Sequence, residues 1–221
     1  MAIDTYAKLQ SECLDTLDRT DLVAQVTAYS PGPIEGSVQR AISKAEKRII
    51  RRIRTRVFET STTISTVGSV ETITLPTDFS IAKALILQTT PNAVLAQKDL
   101  TQLINEYPST AIGIPASYAT FGTLIYLRPI PASPNNIKLF YYYQPTPLSD
   151  TNTSNILLVN YPDLLLYGAL VELTAHIEDD ARIQLWKGAF DEGIKDITND
   201  NTLNRWSGAP ITASINVRGI V

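Results

Sequence analysis

Tyr161–Ile177 reads YPDLLLYGALVELTAHI. From Leu164 to Val171 the only polar group is the Tyr167 hydroxyl, and Gly168 alone interrupts the side chains. A helix apolar nearly all round must be covered on most sides. The run is too short to cross a bilayer, which takes about 20 apolar residues, so it reads as a buried core helix. Asn160 is placed to cap it, Pro162 sits in the first turn where a missing N–H costs nothing, and Asp163 complements the positive helix end. The rest of the chain is read by asking what packs on this post.

Two amphipathic segments answer first. Tyr6, Leu9, Cys13 and Leu17 fall on one face of a helix over Asp4–Leu17. Ile183, Trp186, Phe190, Ile194 and Ile197 do the same over Ala181–Asn199, with Gln184, Lys187, Asp191, Glu192 and Lys195 opposite. The short acidic corner Glu178–Asp180 makes the last two helices an antiparallel hairpin. Thr20 is a cap for a short helix carrying Leu22, Val23 and Val26, ended by SPGP at Ser30–Pro33.

The third segment runs from Ser37 to about Phe58. Val38, Ala41, Ile42, Ala45, Ile49 and Ile53 make an apolar stripe. Arg40, Lys44, Lys47, Arg51 and Arg54 recur at four, three, four and three, a continuous basic stripe on the opposite face. Val38–Phe58 holds eight of the 19 Lys and Arg and one of the 22 acids, Glu46. The whole chain has a net charge of -3, so the remainder is strongly acidic. Like charges at helical spacing repel and prefer partners. A solvated face is the plain alternative.

Between the helical segments the composition changes. Val70–Leu75 alternates, Ala82–Gln88 is a second strand, and Asp99 caps a short helix, Leu100–Glu106. Ser117–Phe121 and Thr123–Arg128 form a hairpin about Gly122, and Ile137–Tyr143 is a strand with three tyrosines. The pattern predicts a small antiparallel sheet or sandwich. Ser207–Val221 has no helical period, but Ile211, Ala213, Ile215 and Val217 alternate with Thr212, Ser214, Asn216 and Arg218. The expectation is an α+β chain: N-terminal helices (1–59), an inserted antiparallel β domain (60–150), a C-terminal helical hairpin completing the bundle (151–206) and an extended C-terminal tail (207–221).

Catalytic signals are sparse. His176 is the single histidine, with Glu172 four residues before it and Asp179 and Asp180 after. A metal site needs three or four ligands, so a local ion pair is the simpler reading. Asp179 and Asp180 are adjacent, and adjacent residues do not face one another as a glycosidase pair must. No Gly-rich phosphate loop, GxSxG motif or Cys/His spacing occurs. Cys13, the single cysteine, lies on an apolar face and reads as a buried hydrophobe. The three tyrosines read as a sheet face rather than a stacking site. No catalytic, cofactor or metal residue is assigned. The first 30 residues lack a signal-peptide layout and no run suits a membrane span, so synthesis in the cytoplasm and no membrane partner are expected.

Several words in fixed order add to this: AISKAEKRIIRRIRTR (41–56), LPTDF (75–79), PASYATFGTLIYLRPIP (115–131), IKLFYYYQPTPLSDTNTSNILLVNYPDLLLYGALVEL (137–173) and EDDARIQLWKGAFDEGI (178–194). Together they resemble the head–tail adaptor (connector) proteins of short-tailed bacteriophages, the tail tubular A or gatekeeper group. The resemblance covers roughly Val38–Trp206; Met1–Pro33 and Ser207–Val221 have no firm counterpart. It implies a helical bundle with an inserted β domain. It also implies a dodecameric ring in the virion between portal and tail nozzle, with double-stranded DNA passing through, and no catalytic motif. The basic stripe would then meet an acidic neighbour head to tail, and the tail residues Ile211, Ile215 and Val217 would reach a partner's sheet edge. Two other functions compete: a DNA-contacting accessory protein using the basic helix, and a lytic glycosidase using Asp179, Asp180 or Glu172.

Overall fold

The computed structural model describes residues 3–17, 37–107, 111–174 and 182–206. The elements run α1 (Tyr6–Leu17), α2 (Ser37–Arg52), a 3-10 turn at Arg56–Phe58, then β1 (Glu59–Ser65), β2 (Thr72–Thr74), β3 (Phe79–Leu87), β4 (Ala93–Val94) and β5 (Ala96–Gln97). They continue with α3 (Leu100–Glu106), β6 (Ile112–Gly113), β7 (Ser117–Phe121), β8 (Leu124–Arg128), β9 (Ile130–Pro131) and β10 (Asn136–Tyr143). The last three are α4 (Ile156–Asn160), α5 (Pro162–Thr174) and α6 (Ile183–Trp206). The fold is α+β, as the alternating patterns predict.

α5 is the central post. Leu164, Leu165, Ala169, Leu170 and Leu173 are buried, and Leu166, Tyr167 and Val171 are partly covered. α1, α2 and α6 each bury one stripe in the same core: Leu9, Cys13 and Leu17; Ile42, Ala45 and Ile49; Trp186 and Phe190. Gly168 sets the closeness of the three-helix contact. A Cβ there would lie 2.9 Å from Phe190 Cε2 and 3.0 Å from Ala45 Cβ, so only glycine fits without displacement. Burial pushes the Cys13 thiol up to about 12, which makes it the inert hydrophobe its position predicts.

Two helix ends differ from expectation. Asn160 does not cap α5. It closes α4, a one-turn helix not foreseen, and its amide donates to Ile156 O at 2.8 Å. The cap is Asn155, whose Oδ1 accepts from Leu158 N at 3.1 Å. The basic helix also stops at Arg52, not near Phe58. Ile53 N still bonds to Ile49 O, but Thr55 is extended at φ -100, ψ 164. The chain must turn there to place both Ile53 and Phe58 in the core and enter β1. Arg54 therefore lies beyond the helix.

The β region forms two four-stranded sheets, ordered β1-β10-β3-β4 and β2-β8-β7-β5, and a two-stranded pair β6-β9. Both larger sheets feed one core: Leu85, Leu87, Ile137 and Leu139 from the first, Ile73, Tyr118, Ile125 and Leu127 from the second. Most pairs are antiparallel, including the expected hairpin, where Gly122 takes the positive φ of 58° at the turn. Two short pairs, β5-β7 and β6-β9, are parallel, which departs from a purely antiparallel unit. Loop segments two residues long carry no alternation, so these pairs leave no periodic signal.

The tyrosine run joins the two cores. Tyr141 is buried in the β core, and Tyr143 packs against both. Phe58 and Tyr143 meet edge to face with centroids 6.2 Å apart. Tyr141 Oη donates to Asp78 Oδ1 at 2.9 Å and Tyr142 Oη to Glu59 Oε1 at 3.0 Å. Burial, then the bond to Asp78, pushes the Tyr141 phenol up to about 12.

Candidate assembly interface

α2 presents two different basic flanks. Arg40, Lys44, Lys47 and Arg51 are exposed, as the stripe requires. Arg40, Lys44 and Lys47 form no ion pair among the described residues, and Arg51 Nε only folds back onto Lys47 O at 3.0 Å. Arg48 and Arg52 lie one step round the helix, nearer the apolar stripe. Arg48 Nη1 reaches Glu172 Oε1 on α5 at 3.2 Å, and Arg52 Nη1 reaches Asp191 Oδ1 on α6 at 2.8 Å. Both guanidinium groups also sit over the Phe190 ring, 5.3 and 5.7 Å from its centroid. These two arginines clamp the bundle and are committed within the chain.

The stripe is not one surface. Lys47, Arg51 and Arg54 rim a cleft of about 480 Å³ between α2 and the sheet, floored by Ile50, Ile53, Phe58, Ile81, Tyr142 and Tyr143. Arg40 lies at the other end, in a smaller hollow with Tyr6, Leu148 and Asp150. Lys44 stands between them and lines neither.

The lone acid of α2 has an internal task. Glu46 is 2% exposed and accepts from Leu148 N with both oxygens at 3.2 Å and from Asn155 Nδ2 at 2.7 Å. Asn155 is also the α4 cap, so one carboxylate ties α2 to the segment that returns from the sheets. Burial raises the Glu46 pKa, and the bonds from Asn155 and Leu148 act against that rise. An acid on the edge of a basic helix was the sequence signal for this anchor, although its partners lie more than a hundred residues away.

The other sequence candidates fall as follows. His176, Asp179, Asp180, Ile211, Ile215 and Val217 lie outside the described residues, as does the segment from Thr20 to Pro33. Glu172 is engaged by Arg48. Among the described residues no group of three or more His, Cys, Asp or Glu is placed to hold a metal ion. No helix among them is long and apolar enough to cross a membrane. Sequence reasoning missed Arg128, which is buried at the end of β8 and pairs through Nη2 with Glu71 Oε2 at 2.6 Å.

The described residues thus join a helical core and a β core, with exposed cations on the outer face of α2. The chain belongs to the SU10 adaptor protein family, a family of phage head–tail adaptors, whose sequence profile matches residues 4–214. It is thus a phage structural adaptor, and the family is one of virion components. No curated protein matches it.

Proposed function

We propose that copies of this chain form a closed ring, dodecameric as the resemblance implies, that joins the portal to the tail nozzle and lets double-stranded DNA pass. The observation that carries this reading is the division on α2: Arg48 and Arg52 are spent inside the chain, while Arg40, Lys44 and Lys47 face outward. Outward cations on one copy and an acidic remainder on the next suit a head-to-tail contact, and a heterologous contact that closes gives a ring. An acidic balance also suits a conduit, because phosphate contacts would grip the DNA. Subunit or partner contacts are assigned to Arg40, Lys44, Lys47, Arg51 and Arg54, and to Ile211, Ile215 and Val217 of the tail. No catalytic role is assigned.

The mass of the full chain, alone and with portal protein, tests this. Rings or portal-bound rings are expected; a persistent monomer that ignores the portal contradicts it. The same exposed cations favour a second reading, a DNA-contacting accessory protein. That reading requires duplex affinity that falls steeply with salt and with Arg40, Lys44 and Arg51→Glu.

A further inference from the structure

The four strands at the borders of the two larger sheets are unequal. β4 and β5 have two residues each and β2 has three, whereas β1 has seven and pairs only with β10 among the described residues. A long edge is a template for another strand unless charge, proline or a bulge blunts it. β1 reads ETSTTIS, with one charge at its start and no proline, and its register with β10 is unbroken from Glu59 to Ser65. Its inward residues Thr60, Thr62 and Ile64 stand opposite buried Tyr141, Leu139 and Ile137, yet are themselves only half-buried. The β core is open along this edge. The outward residues Ser61, Thr63 and Ser65 are exposed.

One segment of the chain matches that edge in length and pattern. Ile211, Ala213, Ile215 and Val217 would extend the inward row, and Thr212, Ser214 and Asn216 the outward one. We propose that residues 211–217 of one copy add as a strand to the free edge of β1 in a second copy. The inference rests on self-association and names the acceptor edge within it.

The helix directions make the contact one between copies. Ala45 and Arg48 of α2 meet Gly168 and Glu172 of α5 in the same order, so these helices run parallel. Gly168 and Leu164 of α5 meet Phe190 and Gly193 of α6 in reverse order, so α6 runs back against both. It therefore leads away from the Arg52 end of α2, where the chain turns toward β1. From Asp191, which pairs with Arg52, to Trp206 is a rise of about 22 Å. Ile211 is five residues further, at most about 17 Å of extended chain. That is too little to bring it back to the Arg52 level, and β1 lies beyond.

Strand addition is read by disulfide trapping between full-length chains. Copies carrying Ser214→Cys are mixed with size-tagged copies carrying Ser61→Cys, Thr63→Cys or Ser65→Cys, then oxidised; Cys13 is buried and stays out of the reaction. At least one outward position is expected to give a disulfide between copies, and Thr62→Cys, on the inward row, none. Assembled rings without a disulfide from any outward position overturn the inference and leave the ring standing. Monomers with no disulfide overturn both. A bond formed only within a doubly substituted chain overturns the assignment between copies. In amide exchange of the assembled protein, Ser214→Pro is expected to lower β1 protection by about tenfold, since proline removes a donor and weakens the added strand. Unchanged β1 protection would count against it.

Discussion

The two flanks of α2 carry the same residue types on the same helix and have opposite fates. Arg48 and Arg52 are drawn to Glu172 and Asp191 and rest on Phe190. Arg40, Lys44 and Lys47 point outward and form no ion pair among the described residues. About 40 to 140 degrees of rotation round the helix separates Arg48 and Arg52 from Arg40, Lys44 and Lys47. Charge counting alone cannot make that division, because it depends on where the neighbouring helices sit.

Single substitutions separate the two flanks. The largest effect on stability is expected at Glu46, which supports the frame beneath both flanks. Glu46→Ala leaves the buried Leu148 N–H without its acceptor and Asn155 Nδ2 with Thr146 O alone, and should cost about 2–3 kcal/mol in chemical unfolding. A loss near zero would mean that water replaces the carboxylate. Gly168→Ala should follow, at about 1–3 kcal/mol, because the added methyl meets Phe190 and Ala45. Because Phe190 also underlies both arginines, that change should loosen the committed flank and leave the outward one intact.

Smaller effects separate the flanks directly. Arg48→Ala should cost about 1 kcal/mol, since the pair with Glu172 is partly exposed. Equal costs for Arg48→Ala and Lys44→Ala would erase the distinction. Glu46 also gives a pH signature. Its folded pKa is raised above the ordinary 4.5, so the folded state holds the proton more tightly than the unfolded one. Its contribution is full below the unfolded value and is lost as pH rises through the folded value. Glu46→Gln, which does not titrate, should flatten that slope in unfolding measured across the acid range; an unchanged slope would assign the dependence to other groups.

The bundle was legible because each helix buries one stripe at a spacing of three and four, and because α5, apolar all round, demanded company on most sides. The hairpin about Gly122 and the strand Asn136–Tyr143 were legible for the same kind of reason. Less was readable where a few residues answer to distant neighbours. The end of α2 at Arg52 is set by the need to bury Phe58, a tertiary demand. β1 has the Thr-rich composition of a strand, but with one apolar residue its pairing with β10 could not be read from it. The basic stripe was visible as a row, but its division by the cleft under Lys47, Arg51 and Arg54 was not, since the opposite wall comes from β3 and β10.

The most direct test of the account is the assembly state of the Arg40, Lys44, Arg51→Glu triple variant beside its stability. The exposed positions predict unfolding free energy within about 0.5 kcal/mol of the parent, with ring formation lost or sharply weakened. Intact rings from a folded triple variant would contradict the claim that the outward flank of α2 holds the copies together.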